Sequence, residues 1–123
     1  MITRVRGFDV HDCEQRSDEW YAVRLGRVCA SRAADMLAAI KSGEAAGRRN
    51  LRAQLILERL TGKSQERQVQ SQDMLNGIER EAAATALYEA ATGVLLRRVG
   101  FVSHPELHAG ASPDGIVGEW ESF

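Results

Sequence analysis

The sequence predicts an α+β fold in which helices come first and an antiparallel β-meander follows. Three observations carry this. Segments with helical periodicity fill the chain up to Gly93, β-branched and alternating residues follow it, and Gly or Pro marks the junctions. A length of 123 residues fits one domain with one modest core, so 1–123 is read as a single domain.

The elements follow in order. MITRVRGFDVHD is a short extended lead-in. RSDEWYAVRLG is a short helix: Ser17 is a good N-cap, Asp18 and Glu19 suit the positive first turn, and Gly26 ends it. ASRAADMLAAIK is a second helix, with Ser31 as its N-cap. After the glycine-bearing loop KSGEAAG, RRNLRAQLILERLTG reads as an amphipathic helix. Leu51, Leu55 and Leu60 lie near one face and Gly62 is its stop. KSQERQVQSQ is polar and reads as a loop. The longest helical pattern runs from about 73 to 92, with Gly93 at its end. Gly77 falls inside it. A mid-helix Gly costs on the order of 1 kcal/mol against Ala, so it asks for a reason such as the close approach of another backbone. VLLRRVGFVSH is then a strand, HPEL a turn, HAGAS a second strand, SPDG a turn or bulge, and IVGEW a third strand.

The composition narrows the function classes. Hydrophobic residues make up 44%, charged residues 27% and aromatics 6%, ordinary values for a globular domain that packs helices through small side chains. The formal net charge of −1 is no global basic footprint for nucleic acid. The basic residues are nonetheless nearly all Arg, with Lys only at Lys41 and Lys63. Arg suits bidentate phosphate contacts better than Lys. Cys13 and Cys29 form no CxxC pair, which argues against a disulfide framework or zinc site and for free thiols in a reducing cytosol. No apolar run approaches a membrane span and no signal peptide is recognisable, so no membrane partner is expected.

Four groups of residues could carry chemistry. In SPDG, Pro113 fixes its own φ and Gly115 permits unusual backbone, which holds Asp114 at a defined place after a strand; the same tetrapeptide also makes a common turn. In the long helix, Met74, Ile78, Glu81, Thr85 and Tyr88 follow 3–4 spacing, so Glu81 shares a largely apolar stripe. A carboxylate there is costly unless it meets a cation or a donor. Glu79, on the Ala-rich side, competes for the same inference, and both also fit a solvated surface. Arg24 ends the first helix and Ser31 opens the next; a helix N-terminus beside an Arg is an anion site, although an ordinary cap and a surface arginine fit the same residues. His11, His104 and His108 lack helical metal-pair spacing and are read as surface or turn residues, with His108 nearest Asp114.

Taken together, QRSDEWYAVRLGRVCAS, NGIEREAAATALYEAATG and VGFVSHPELHAGASPDGIV, in that order, resemble the YqaJ-like viral recombinase family. That family includes the phage lambda exonuclease and belongs to the PD-(D/E)XK nuclease superfamily. The resemblance runs from about Gln15 to Val117. It implies a metal-dependent 5′→3′ exonuclease on double-stranded DNA, working in phage recombination. Asp114 matches the carboxylate that binds the catalytic divalent metals, and Glu81 matches the glutamate of the G-x-x-x-E helix that reaches them. Arg24 matches an arginine that holds the 5′-terminal phosphate; Ser31 and Ser112 match hydroxyls around that phosphate. Gly77 falls on a motif glycine. Mg²⁺, or Mn²⁺ with similar oxygen ligands, is the implied cofactor. The implied partners are double-stranded DNA ends, a single-strand annealing protein and further copies of the chain in a ring. The implied location is the cytoplasm of a bacterial host, from a phage or prophage gene.

One part of the family pattern is not met. The E-x-K pair that follows S-P-D-G falls, by family spacing, just past Phe123. Glu119 and Glu121 are the only later carboxylates, and Phe123 stands where the Lys belongs after Glu121. The expectation is therefore a truncated PD-(D/E)XK core that stops before its catalytic strand and is inactive or impaired alone. The alternative is a non-catalytic DNA-end-binding or regulatory remnant of the same family.

Overall fold

The computed structural model describes residues 2–66 and 72–117. The lead-in is a hairpin. β1 (Ile2–Val5) pairs antiparallel with β2 (Phe8–His11), placing Val5 opposite Phe8. Its turn residues, Arg6 and Gly7, both have positive φ (49° and 85°), the geometry that matches the twist of paired strands. β5 (Phe101–Ser103) pairs antiparallel with β2, and β6 (Ala109–Ala111) antiparallel with β5. β3 (Val28–Cys29) closes the far edge, parallel to β6, giving the order β1-β2-β5-β6-β3. β4 (Leu96–Arg97) and β7 (Ile116–Val117) form a separate antiparallel pair.

The α+β fold and the β5–β6 hairpin are as expected, but the meander is not continuous. VLLRRVGFVSH divides into β4 and β5. At the division Val99 is buried and the Gly100 N–H donates to the His11 carbonyl at 3.1 Å, with Cys13 packed against Gly100. The third strand joins β4, not β6. The expected continuation of that strand through Gly118, Glu119 and Trp120 lies outside the described residues, as do 67–71 of the polar loop and Glu121.

Three helices stand where expected. α1 (Asp18–Arg24) is capped by the Ser17 hydroxyl, which accepts from Trp20 N–H at 3.2 Å. α3 (Ala46–Thr61) buries Leu51, half-buries Leu55 and ends at Gly62. Leu60, expected on that face, is 80% exposed, and Glu58 is buried instead. At about 100° per residue, Leu60 lies on the far side of the helix from Leu51. α4 (Gln72–Thr92) half-buries Ile78, Glu81, Thr85 and Glu89, while Met74 and Tyr88 stay exposed. Gly77 has no atom of the described residues within 4 Å of the place a Cβ would take, so no neighbouring backbone among them explains it.

The second expected helix is a correction. A single 3₁₀ turn (Ala30–Arg32) leads into the short α2 (Ala33–Met36), which packs on α3. Ser31 lies within the 3₁₀ turn and caps no helix; no side chain caps either start. Residues before it are drawn into β3, and Leu37 and Ile40 beyond it remain exposed, so no apolar face sustains a longer helix.

Val5, Val10 and Val99 form the buried cluster, with Val102 and Ile116 against it. The fully buried Phe101 ring lies across Gly110, where any Cβ would strike the ring. That is the reason β6 carries a glycine at its centre.

Candidate functional site

Two groups of candidate side chains flank the SPDG turn. The first is a nest around Arg24, at the C-terminal end of α1, and only 8% of this residue is exposed. Its Nη1 donates to Ser112 Oγ at 3.1 Å, while Nε and Nη2 donate to the Glu66 carboxylate at 3.1 and 2.6 Å. The guanidinium lies over the Trp20 ring, 4.0 Å from its centroid. Trp20 and Arg24 are four apart on α1, which places them on one face of the helix. Trp20 Nε1 donates both to Ser112 Oγ and to the Gly100 carbonyl, each at 3.0 Å, fastening the helix to the residue before β5 and to the residue after β6. Burial works against the Arg24 charge, but the hydrogen bonds and charge of Glu66 outweigh it and hold the guanidinium more firmly protonated than usual.

The second group is a cleft of about 230 Å³ with a lining of mixed charge: Glu14, Glu81 and Asp114 face it together with Arg16 and Arg98, beside Gln15 and Cys13. Residues distant in sequence meet here through a short relay. Glu89 of α4 accepts the Leu96 N–H at 2.8 Å, which ties the helix to β4. β4 pairs with β7, and β7 begins two residues after Asp114. On the other side Gln15 Nε2 donates to the Pro113 carbonyl at 3.1 Å and, at 3.4 Å, to that of Val99. Asp114 is exposed at the mouth; Glu81 is half-buried and 3.9 Å from Arg98 Nη2. Burial, followed by the charge of Glu19, pushes the Cys13 thiol up from its ordinary value.

The sequence-predicted residues thus fall into two pairs. Glu81 and Asp114 share the cleft, and Arg24 and Ser112 share the nest. Glu79 is exposed. Ser31 is exposed and no hydrogen bond joins it to Arg24 or Ser112. His104 serves a turn, its Nδ1 accepting from the N–H groups of Glu106 and Leu107. His11, expected at the surface, is buried against Phe101 and 2.8 Å from Ser103 Oγ. Burial and the nearby Arg27 charge push its pKa down. Sequence reasoning missed Glu66, Glu14, Gln15 and Arg98, whose positions depend on contacts with no local spacing signal.

The donor set suits a hard cation, since Mg²⁺ is commonly held by one or two carboxylates together with waters and substrate phosphates. Among the described residues no three His, Cys, Asp or Glu are grouped to hold a metal by themselves. No helix among those residues is long and apolar enough to cross a membrane.

This α+β arrangement, with an acid-bearing turn beside a glutamate-bearing helix, has a fold of the PD-(D/E)XK type. The chain belongs to the YqaJ-like viral recombinase family, whose domain model matches residues 19–122. It is similar to the crystal structure of an alkaline exonuclease, LHK-Exo, from Laribacter hongkongensis, at 42% identity with a TM-score of 0.65. The structure of LHK-Exo in complex with dAMP matches with a TM-score of 0.69, also at 42% identity. Either match covers 84% of this chain and 49% of the exonuclease, so the chain spans about half the length of that protein. No curated protein matches the chain significantly.

Proposed function

We propose that this chain contributes the end-phosphate pocket and two metal-binding carboxylates of a phage-type exonuclease. The activity is divalent-metal-dependent 5′→3′ degradation of double-stranded DNA. The observation that carries the reading is the convergence of Glu81 and Asp114, 33 positions apart by subtraction of their numbers, on one cleft beside the Arg24–Ser112 nest. Within that reading Asp114 and Glu81 would hold Mg²⁺ or Mn²⁺, which when bound lowers the pKa of water and stabilises charge on the attacked phosphate. Arg24 and Ser112 hold the terminal phosphate and fix the register of the strand. Family likeness supports double-stranded ends as substrate, a single-strand annealing protein as partner, a ring of copies as assembly, and a bacterial cytoplasm as the setting.

A second reading is a DNA-end-binding module without catalysis. It is favoured by the Arg24 nest, which groups a buried guanidinium, the Ser112 hydroxyl and Trp20 independently of the cleft. One experiment separates them. Linear duplex with a 5′-phosphate or a 5′-hydroxyl is incubated with Mg²⁺ and this chain, and in parallel with a version extended through the next strand. Degradation by the extended version supports the nuclease. Binding of 5′-phosphorylated ends without degradation by either supports the module, and neither binding nor degradation sinks both.

A further inference from the structure

We infer that Glu66 is an internal competitor for the anion pocket: its carboxylate occupies the edge of Arg24 that an incoming phosphate takes, and it must leave for phosphate to bind. The inference rests on the reading of Arg24 and Ser112 as an end-phosphate pocket. Nε and Nη2 form one side of the guanidinium fork, and both are given to Glu66, at 3.1 and 2.6 Å. Carboxylate and phosphate use the same fork in the same bidentate way.

Simultaneous occupancy is disfavoured by charge and space. Arg24 is buried, with Trp20 over its face and Phe101 at 5.9 Å. A terminal phosphate carries about −1.5 to −2 charges at neutral pH. Placed beside a carboxylate in a poorly solvated pocket, it would meet strong repulsion. Among the described residues Glu66 is also the member of the nest with least to hold it. It follows the end of α3 at Gly62, belongs to no helix or strand, is 25% exposed, and its backbone N–H donates to Ser64 Oγ at 3.2 Å. Trp20 and Ser112, by contrast, are bonded to each other and Trp20 to the backbone of Gly100. The carboxylate therefore swings out while the rest stays.

The device does two things. With no ligand it prevents Arg24 from being a buried, unpaired charge. With ligands present it lowers the affinity of every anion by one factor. The weaker, singly charged internal phosphodiester then drops out of the pocket, and the doubly charged terminal phosphate remains. A uniform factor leaves the ratio of affinities unchanged, so Glu66 sets the affinity an anion needs to fill the pocket and not the preference between anions.

The test is calorimetric titration of this chain with inorganic phosphate and, separately, with duplexes carrying 5′-phosphate or 5′-hydroxyl. Wild type, Glu66→Gln and Glu66→Asp are compared, with circular dichroism to verify folding. Glu66→Gln keeps the shape and removes the charge; it should tighten phosphate binding about tenfold, the value of one charge-assisted pair. Glu66→Asp, too short for both donors, should fall between, and remains a test if Glu66→Gln does not fold. The 5′-phosphorylated duplex should tighten by the same factor as phosphate. Unchanged or weaker binding in both variants overturns the competition. If phosphate tightens but the two duplexes bind alike in every variant, the competition stands and the end-pocket reading falls. If wild type prefers the 5′-phosphorylated duplex and the variants bind no tighter, the reading stands and the competition falls. Should no variant bind phosphate, both fall.

Discussion

The Arg24 nest and the Asp114 cleft lie on either side of one turn, yet they are built in opposite ways. In the nest every principal side chain is committed: Arg24 to Glu66 and Ser112, and Trp20 to Ser112 and Gly100. In the cleft Asp114 is exposed, and Glu81 meets Arg98 only at 3.9 Å. The nest stabilises the fold through its own bonds, whereas the cleft is held in place by its surroundings and adds little of its own. A carboxylate intended for a cation must remain available, and availability means weak internal bonding.

The strongest break of this contrast is Asp114→Ala. In the version extended through the next strand it should abolish Mg²⁺-dependent degradation of linear duplex, measured by release of acid-soluble nucleotide, with an unchanged circular dichroism spectrum. Robust activity in that variant would sink the metal assignment. Next is Arg24→Ala, which takes the guanidinium from the Glu66 carboxylate and leaves Ser112 with Trp20 as its donor. Breaking a buried pair costs about 3–5 kcal/mol, and the partial exposure of Glu66 reduces the expectation to about 2–3 kcal/mol in urea unfolding.

A smaller effect separates the sheet beneath the nest from the open cleft by pH. His11 is held below its ordinary pKa of 6.5 by burial and by Arg27, so the folded state favours the neutral ring. Its contribution is present above the unfolded pKa and is lost as pH falls below about 6.5, where the unfolded chain takes up the proton first. Unfolding free energy should drop over that range in wild type and drop less in His11→Gln; parallel curves would refute the role. The smallest effect is on stability at the cleft itself: Asp114→Ala should change the urea unfolding free energy by no more than about 0.5 kcal/mol, as for surface substitutions generally.

Local signals made much of the helical framework legible. Ser17 as a cap and the stops at Gly62 and Gly93 stand where the sequence places them. Periodicity failed where too few residues carry it. β3 spans two residues, and Val28 with Cys29 offers no pattern to distinguish a strand from the end of a helix. ASRAADMLAAIK has helical composition throughout, yet among the described residues nothing covers Leu37 or Ile40, and α2 is short. The site followed the same divide. Spacing put Glu81 on a stripe, but only the family resemblance linked it to Asp114. Glu66 was illegible, since its pairing with Arg24 spans 42 positions and depends on the chain's path after α3.

The bond from Glu89 to Leu96 gives α4 a further character, that of a gauge. The helix is pinned near its C-terminus, so the position of Glu81 is measured backwards from that pin, about 12 Å along the axis at 1.5 Å per residue. Substitutions on the exposed faces of this segment leave the measurement intact. One inserted residue between Glu81 and Glu89 turns the glutamate by about 100° and carries it out of the cleft. What the segment must conserve is its count of residues more than their identities.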